Sequence, residues 1–304
     1  MRRELTRRDF IKRSATFAGG AALTSAAFPF RLLAGDDPYR PPIDLAIARG
    51  ESPADNCLAA VDALGGFSKF VPKGSKVVIK PNPVGTSPPE MAVNTHPDMV
   101  EAVVRECFRT GAREVVVLSH DEMRSFTGNG TAAAVERAGG TVKAITSHDD
   151  YTEIPVPRGQ ILRRVEVARD LVDADVFINM PIAKHHGGAS LTFTMKNLMG
   201  VNWNRVYFHQ TDLHRCIAEL ATVIPHTLVI MDANNVLLTN GPIGPGQVTR
   251  PQRVIAGVDQ VAVDAFATTF FDTKPERVPH IRIAYELGVG EMDVDRLKVK
   301  EFAA

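Results

Sequence analysis

The sequence predicts an α/β fold: a mostly parallel sheet flanked by helices, in a single large domain with a Gly/Pro-rich excursion. Three observations carry the prediction. Short apolar runs alternate with stretches of helical period, the pattern of strand–helix–strand units. The runs are continuously apolar, as in strands buried on both faces, rather than alternating apolar with polar. About 270 residues follow the first 34, enough for one full hydrophobic core.

The elements follow in order. Tyr39-Arg40-Pro41-Pro42 is an extended lead-in, since Pro disfavours helix in the residue before it. Ala54 to Phe67 has helical spacing, and Lys76 to Lys80 is a short apolar strand. His96 to Gly111 is an amphipathic helix with a glycine stop, and Glu114 to Ser119 is a buried strand. Gly130 to Gly139 is helical again, followed by the strand-like Thr141 to Thr146. Three further strands are expected at Asp175 to Met180, Thr227 to Asp232 and Arg253 to Val258. Helical patterns occupy Gln210 to Val223, Val261 to Phe271 and Pro279 to Leu287, with Tyr207-Phe208-His209 read as a loop wall. The stretch from Asn235 to Pro251 is the Gly/Pro-rich excursion.

The N-terminus reads as an address rather than as structure. Thr6-Arg7-Arg8-Asp9-Phe10-Ile11-Lys12 has the twin-arginine pattern, and the 17 residues from Ser14 to Phe30 carry no charge. A basic segment before a mildly apolar one is the layout of an export signal. The run is too short and too rich in Gly, Ser and Thr for a membrane span, which needs roughly 20 strongly apolar residues. Residues 1–34 are therefore expected to be a cleaved signal, with Ala27 and Ala34 as alternative cleavage points. Residues 35–304 are expected to be the α/β domain, bacterial and periplasmic or otherwise exported. The implied partner is the twin-arginine translocase, with no stable membrane span after cleavage.

Charge and cysteine content exclude several functions. The chain has 35 basic and 35 acidic residues; the first 34 hold seven and two of them, leaving 28 against 33. A mildly acidic mature chain is poorly suited to nucleic acid or an anionic membrane surface, so a bound anion needs a local cluster of donors. Cys57, Cys107 and Cys216 are far apart and form no CxxC; they cannot ligate an iron–sulfur cluster or a closed zinc site. Cys107 and Cys216 lie among apolar residues in helical patterns and read as buried free thiols. No nucleophile elbow, Walker loop, Rossmann glycine fingerprint or zinc-protease helix occurs.

The strand ends point to a site. Ligands of open α/β sheets bind beyond the carboxyl ends of the strands. Here those ends run into Lys80-Pro81-Asn82, Ser119-His120-Asp121, Lys184-His185-His186 and Asp232-Ala233-Asn234. Four such ends predict a shared cleft containing Lys80, His120, Lys184 and Asp232.

The same residues carry a resemblance. Ile79-Lys80-Pro81-Asn82, Thr95-His96-Pro97 and Thr110-Gly111-Ala112 come first. Asn179-Met180-Pro181 with Lys184 and His186 follows, then Thr192 leading to Lys196-Asn197-Leu198-Met199-Gly200. Asp232, Gly241-Pro242, Val261-Ala262-Val263-Asp264 and Leu287-Gly288-Val289-Gly290 complete the set. In this order the motifs resemble the domain family of unknown function 362, across nearly the whole mature chain. The resemblance implies a lysine directly after Pro181, where this chain has Ile182. Some members add a ferredoxin-like cysteine cluster that is missing here. The family supplies architecture and site positions but no reaction.

The residue types suggest roles. Lys80, Lys184 and Lys196 are donors suited to phosphate or carboxylate oxygens. Thr192 is expected to cap the short helix bearing Lys196 and Asn197, whose N–H groups would reinforce an anion site. Asn82 and Asn234 join the ligand-binding set. His185 and His186 point to opposite faces in an extended chain, so one of them enters the site, and family position favours His186. His186, Lys184 and Lys196 form the expected catalytic group, the histidine or a lysine as acid or base and the lysines stabilising negative charge. His120 and Asp121 read as a metal-binding or general-base pair, joined by Asp232 and Asp264 for an oxygen-liking divalent cation; Asp264 alternatively anchors its helix. The expected function is thus an exported enzyme acting on a small anionic molecule, or using an anionic cofactor or divalent metal. The alternative is a non-catalytic periplasmic ligand-binding or cofactor-chaperone protein.

Overall fold

Val77 and Ile79 pack on one face of a sheet and Val78 on the other, and that sheet organises the protein. The computed structural model describes residues 41–304; the signal read over residues 1–34 lies outside them. The strands are β1 (Leu45–Arg49), β2 (Lys76–Lys80), β3 (Glu114–Ser119) and β4 (Thr141–Ala144), then the hairpin β5 (Tyr151–Pro155) and β6 (Arg164–Ala168). Next come β7 (Val176–Asn179), β8 (Ile182–His186), β9 (Ser190–Thr192), β10 (Leu228–Leu237), β11 (Val248–Thr249), β12 (Arg253–Gly257) and β13 (Val299–Ala303). The main sheet has the order β13-β1-β12-β10-β7-β2-β3-β4. From β10 to β4 every neighbour is parallel. Only β12, among these strands, runs antiparallel to both its neighbours.

Helices cover both faces, as the βαβ connections require. On one side lie α1 (Pro53–Ala63), α2 (Pro97–Arg109) and α3 (Thr131–Arg137), packed on Val77, Ile79, Val117 and Ile230. On the other lie α4 (Thr194–Asn197), α5 (Arg205–Gln210), α6 (Leu213–Ala221), α7 (Gln260–Ala267) and α8 (Pro279–Glu286), packed on Val78, Phe177 and Met231. Their starts obey local rules: His96, Asp212 and Asp259 accept a backbone N–H at the N-caps of α2, α6 and α7. All three cysteines are free and buried, and no helix among the described residues is long and apolar enough to cross a membrane.

Three departures from expectation matter for the site. Tyr207-Phe208-His209 lies in helix α5 rather than in a loop. The 187–192 segment returns as β9, pairing antiparallel with β8, and so fixes Lys184 opposite Thr192. Most important, β10 does not end at Asp232 but runs ten residues to Leu237. β7 stops at Asn179, and β8 takes its place beside the outer half of β10, with Ile182 opposite Asp232 and Lys184 opposite Leu237.

Candidate functional site

Lys80 is the last residue of β2 and points to the α4 side of the sheet, the same side as Val78. A short turn passes directly over it. A Cβ at Gly200 would lie 2.7 Å from Lys80 Nζ and 2.8 Å from Ser119 Oγ, so only glycine allows this backbone to cover the ammonium. The same turn is tied to the end of β3, where His120 N donates to Gly200 O at 2.7 Å.

An amide network holds the lysines. Asn197 Oδ1 accepts from Asn82 Nδ2 at 2.8 Å and from Lys80 Nζ at 3.2 Å. Its Nδ2 donates to Asn179 Oδ1 at 2.8 Å and to Lys80 O at 3.2 Å. Asn82 Oδ1 accepts from Lys184 Nζ at 2.8 Å, and Lys184 also donates to Val93 O at 2.5 Å. Lys80 donates to its neighbour Pro81 O as well. Lys80, Lys184, Asn82, Asn179 and Asn197 are all buried. Asn179, the last residue of β7, joins this network although its residue type alone does not mark it as a site residue; the signal is its place at a strand end, ahead of the Lys-Asn motif.

The lysines sit without carboxylate partners. Among the described residues, no Asp or Glu forms an ion pair with Lys80, Lys184 or Lys196. The negative charge that acts on all three is Asp121, itself held by Ser119 Oγ at 2.6 Å and 3.7 Å from Arg205. Burial pushes the pKa of Lys80 down to about 7, with Arg205 and Lys196 acting in the same direction and Asp121 opposing. Burial also lowers Lys184 to about 7, helped by Lys196 and Lys80 against Asp121. For Lys196 burial and Arg205 bring it to about 8, again against Asp121. Arg205 is therefore part of the cationic cluster, although nothing but its place after Asn202-Trp203-Asn204 marks it in the sequence.

The histidines separate as expected for an extended strand. His185 turns to the excursion, accepting from Gly241 N at 3.1 Å. His186 turns toward α5, its ring stacked with that of His209 at 6.3 Å. His186 Nδ1 accepts from Gly188 N at 3.1 Å and Ala189 N at 3.0 Å. A nitrogen accepting two N–H bonds carries no proton, so the neutral ring holds its proton on Nε2 and presents a donor. Burial and the nearby Lys196 lower its pKa to about 3, which keeps the ring neutral. His186 is thus a neutral hydrogen-bond donor, not a base.

Several expected members stand elsewhere. Asp232 alternates with Met231 along the extended β10 and faces the α1–α2 side, where it accepts from His96 N at 2.8 Å. Asn234 goes with it, donating to Asp232 Oδ1 at 2.8 Å and accepting from Asn56 Nδ2 at 3.1 Å. Both are structural, and the cleft predicted around Lys80, His120, Lys184 and Asp232 therefore loses its fourth member. Thr192 does not cap α4: the N-cap is Phe193, and Thr192 Oγ1 is buried without a partner. The first N–H groups of α4 donate instead to Asp264, from Thr194 N at 2.7 Å and Met195 N at 3.0 Å. They are occupied, so they cannot reinforce an anion site. Asp264 anchors α4 to α7 and so places Lys196. Ile182, at the position of the missing lysine, is buried against Val93 and Leu237. The proposed metal set of His120, Asp121, Asp232 and Asp264 is dispersed, and no cluster of three or more His, Cys, Asp or Glu suited to a metal exists among the described residues.

The chain is similar to known proteins in sequence and in fold. A thylakoid-associated protein of Synechocystis sp. is 26% identical over 246 residues, 75% of this chain and 73% of that protein. The lactate racemase apoprotein from Thermoanaerobacterium thermosaccharolyticum is similar in fold, with a TM-score of 0.50 and 13% identity over 76% of this chain. The present chain spans 57% of that racemase chain. A solved protein from Thermotoga maritima covers 74% of this chain and 60% of its own, with a TM-score of 0.45 and 14% identity. The model of the family described as domain of unknown function (DUF362) matches residues 77–269, the span that holds Lys80, Lys184, Lys196 and the amides between them, and the chain belongs to that family.

Proposed function

We propose that the protein is an enzyme acting on a small anionic substrate, or on a substrate held beside an anionic cofactor, at the Lys80–Lys184–Lys196 cluster. One observation carries the reading: Lys80 and Lys184, buried in the amide network, lie within electrostatic reach of Lys196, and among the described residues Asp121 is the carboxylate whose charge opposes all three lysines. Burying cations without counter-ions is unfavourable in an empty protein. An anion entering the cluster removes that cost. Lysines poised near neutral pH also suit proton transfer, and their ammonium forms stabilise negative charge that develops on a substrate. His186 adds a neutral Nε2–H donor. Lys196, partly exposed and unbonded among the described residues, is the first contact for an incoming anion.

A second reading, a non-catalytic ligand-binding protein, draws on Lys184, which is fully buried and already donates twice to protein acceptors. Export through the twin-arginine route, with a periplasmic or otherwise exported location, accompanies either reading. The deciding measurement pairs thermal melting of the parent and Lys196→Met with inorganic phosphate, pyrophosphate and short mono- and dicarboxylates, each against chloride of equal ionic strength. Anions that raise the melting point of the parent alone support the site. Native mass spectrometry of protein from its host, followed by incubation of any retained molecule with fresh protein, separates turnover from binding. No anion-specific shift in any of these, together with no retained molecule, would end both readings.

A further inference from the structure

His120, on the rim of the same cluster, is bonded to a residue that its own neighbourhood in sequence does not contain. Tyr151, the first residue of β5, places its hydroxyl 2.7 Å from His120 Nδ1 and 2.7 Å from Ile145 O. A carbonyl can only accept, so the single hydroxyl proton of Tyr151 lies toward Ile145 O. The contact with His120 must then run the other way, Nδ1–H donating to the Tyr151 oxygen. That assigns the neutral tautomer: the proton is on Nδ1, and Nε2 carries a lone pair. Nε2 has no bond to a described residue, and it is not among the buried unpartnered atoms; it is reachable from outside. Trp203 packs against both rings, its centroid 5.2 Å from His120 and 5.3 Å from Tyr151, which fixes the imidazole plane. Asp121, the expected orienting carboxylate, is bonded to Ser119 instead.

Resting on the anion-site reading, we propose that His120 is the proton acceptor of this site and that Tyr151, through Ile145 O, is the residue that positions it. In the step, the Nε2 lone pair forms a bond to a substrate proton. The electron pair of the broken bond stays on the substrate, where the partly exposed cations Lys196 and Arg205 would stabilise it, and the imidazolium keeps its Nδ1–H on Tyr151. His186, in the opposite tautomer, supplies the donor. The fold therefore fixes one histidine to take a proton and another to give a hydrogen bond. Burial and Arg205 lower the pKa of His120 to about 4, against Asp121, so the base stands unprotonated in neutral solution.

The test needs no ligand, so it is independent of the anion-site reading. Long-range proton–nitrogen correlation spectra of the ¹⁵N-labelled full chain at neutral pH, assigned with His120→Gln, report which ring nitrogen holds the proton. The expected result is a protonated Nδ1 and a bare Nε2 for His120, and the reverse for His186. Tyr151→Phe keeps the ring packing but removes the acceptor, and the His120 signals should move to mixed tautomers. Diethyl pyrocarbonate, which acylates a bare imidazole nitrogen, should label His120 and spare His186, read by peptide mass spectrometry. A proton on His120 Nε2 in the parent, or no change of tautomer in a folded Tyr151→Phe, would overturn the proposal. If Tyr151→Phe fails to fold, the parent spectrum and the labelling pattern decide it alone.

Discussion

Replacing Lys196 by Met removes a charge that the fold holds at a loss. Its Nζ has no hydrogen bond or ion pair with a described residue, and Met keeps most of the apolar stem. The lowering of its pKa from 10.5 to about 8 measures how strongly burial and Arg205 disfavour the charged form. At about 1.4 kcal/mol per pH decade, that is roughly 3 kcal/mol against the folded state at neutral pH. Domains of this size gain about 2–4 °C in melting temperature per kcal/mol, so the empty variant should melt several degrees above the parent, with about 12 °C the ceiling. Lost packing and local relaxation pull the value below that ceiling.

The pH dependence has a definite sign. Below about 8 the lysine is protonated in both states, and the parent bears the whole penalty. Between about 8 and 10.5 the unfolded chain keeps its proton while the native one releases it, so the stability of the parent rises. The gap between variant and parent should close across that window. Saturating anion reverses the order once its stabilisation exceeds the penalty, since a ligand at about 1,000 times its Kd adds roughly 4.1 kcal/mol to the protein that binds it. Scanning calorimetry from pH 7 to 10, with and without the anion found to bind, measures all three effects. A loss of stability in the empty variant of the roughly 3–5 kcal/mol typical of a broken buried pair would overturn this account. So would a gap that stays constant from pH 7 to 10.

Other perturbations reach different parts of the argument. Asn197→Ala deletes a buried hub that makes four hydrogen bonds. With about 1–3 kcal/mol lost for each polar group left unpaired, the urea midpoint should drop by the equivalent of at least about 3 kcal/mol. The carboxylate of Glu219 accepts from Gln160 N at 2.7 Å, Leu162 N at 2.8 Å and Arg215 Nε at 2.7 Å. Burial alone would raise its pKa, but Arg215 and the backbone donors outweigh it and hold the group below its ordinary value. Its stabilisation is therefore complete above the ordinary glutamate range and lost as pH falls below it. Glu219→Gln should flatten the fall of urea midpoints between pH 6 and 3. Export is tested by replacing Arg7 and Arg8 with Lys, which should leave precursor in the cytoplasm; an unchanged periplasmic yield would remove the targeting reading.

What the sequence reveals follows from how local each cause is. β2, β3 and β7 are continuous apolar runs, so their existence and their polar ends are visible directly, and Lys80, Asn82 and Lys184 with them. β1 and β13 are harder to see: Leu45–Arg49 mixes two alanines into a five-residue strand, and Val299–Ala303 is an exposed edge. The hairpin β5–β6 alternates polar and apolar residues over a face that only the tertiary fold covers. Asp232 misleads for a similar reason, because β10 continues past the polar residues that look like its end, and alternation sends Asp232 to the far face. Thr192 has the right residue type at a helix start, but Asp264, 70 residues beyond Thr194, takes the donors that Thr192 is expected to satisfy. No local pattern contains that contact. The tautomer of His120 is equally invisible, since it depends on Tyr151, 31 residues further along.

The choice of amides over carboxylates ties these observations together. Three asparagines, Asn82, Asn179 and Asn197, hold Lys80 and Lys184 by hydrogen bonds among themselves and to the lysines. An amide oxygen accepts an ammonium N–H as a carboxylate does but carries no net charge, so it orients the lysine without neutralising it. Aspartates at these positions would form buried ion pairs and leave nothing for a ligand to compensate. The carboxylates this fold does bury nearby, Asp232 and Asp264, are turned to backbone N–H groups at the starts of α2 and α4. Asp264 therefore fixes the helix that carries Lys196, while its charge is directed at peptide donors rather than at the lysines. The result is a nearly uncompensated cationic cluster of groups poised near neutral pH, an arrangement that weakens the empty protein and that, on the proposed reading, an anion would relieve.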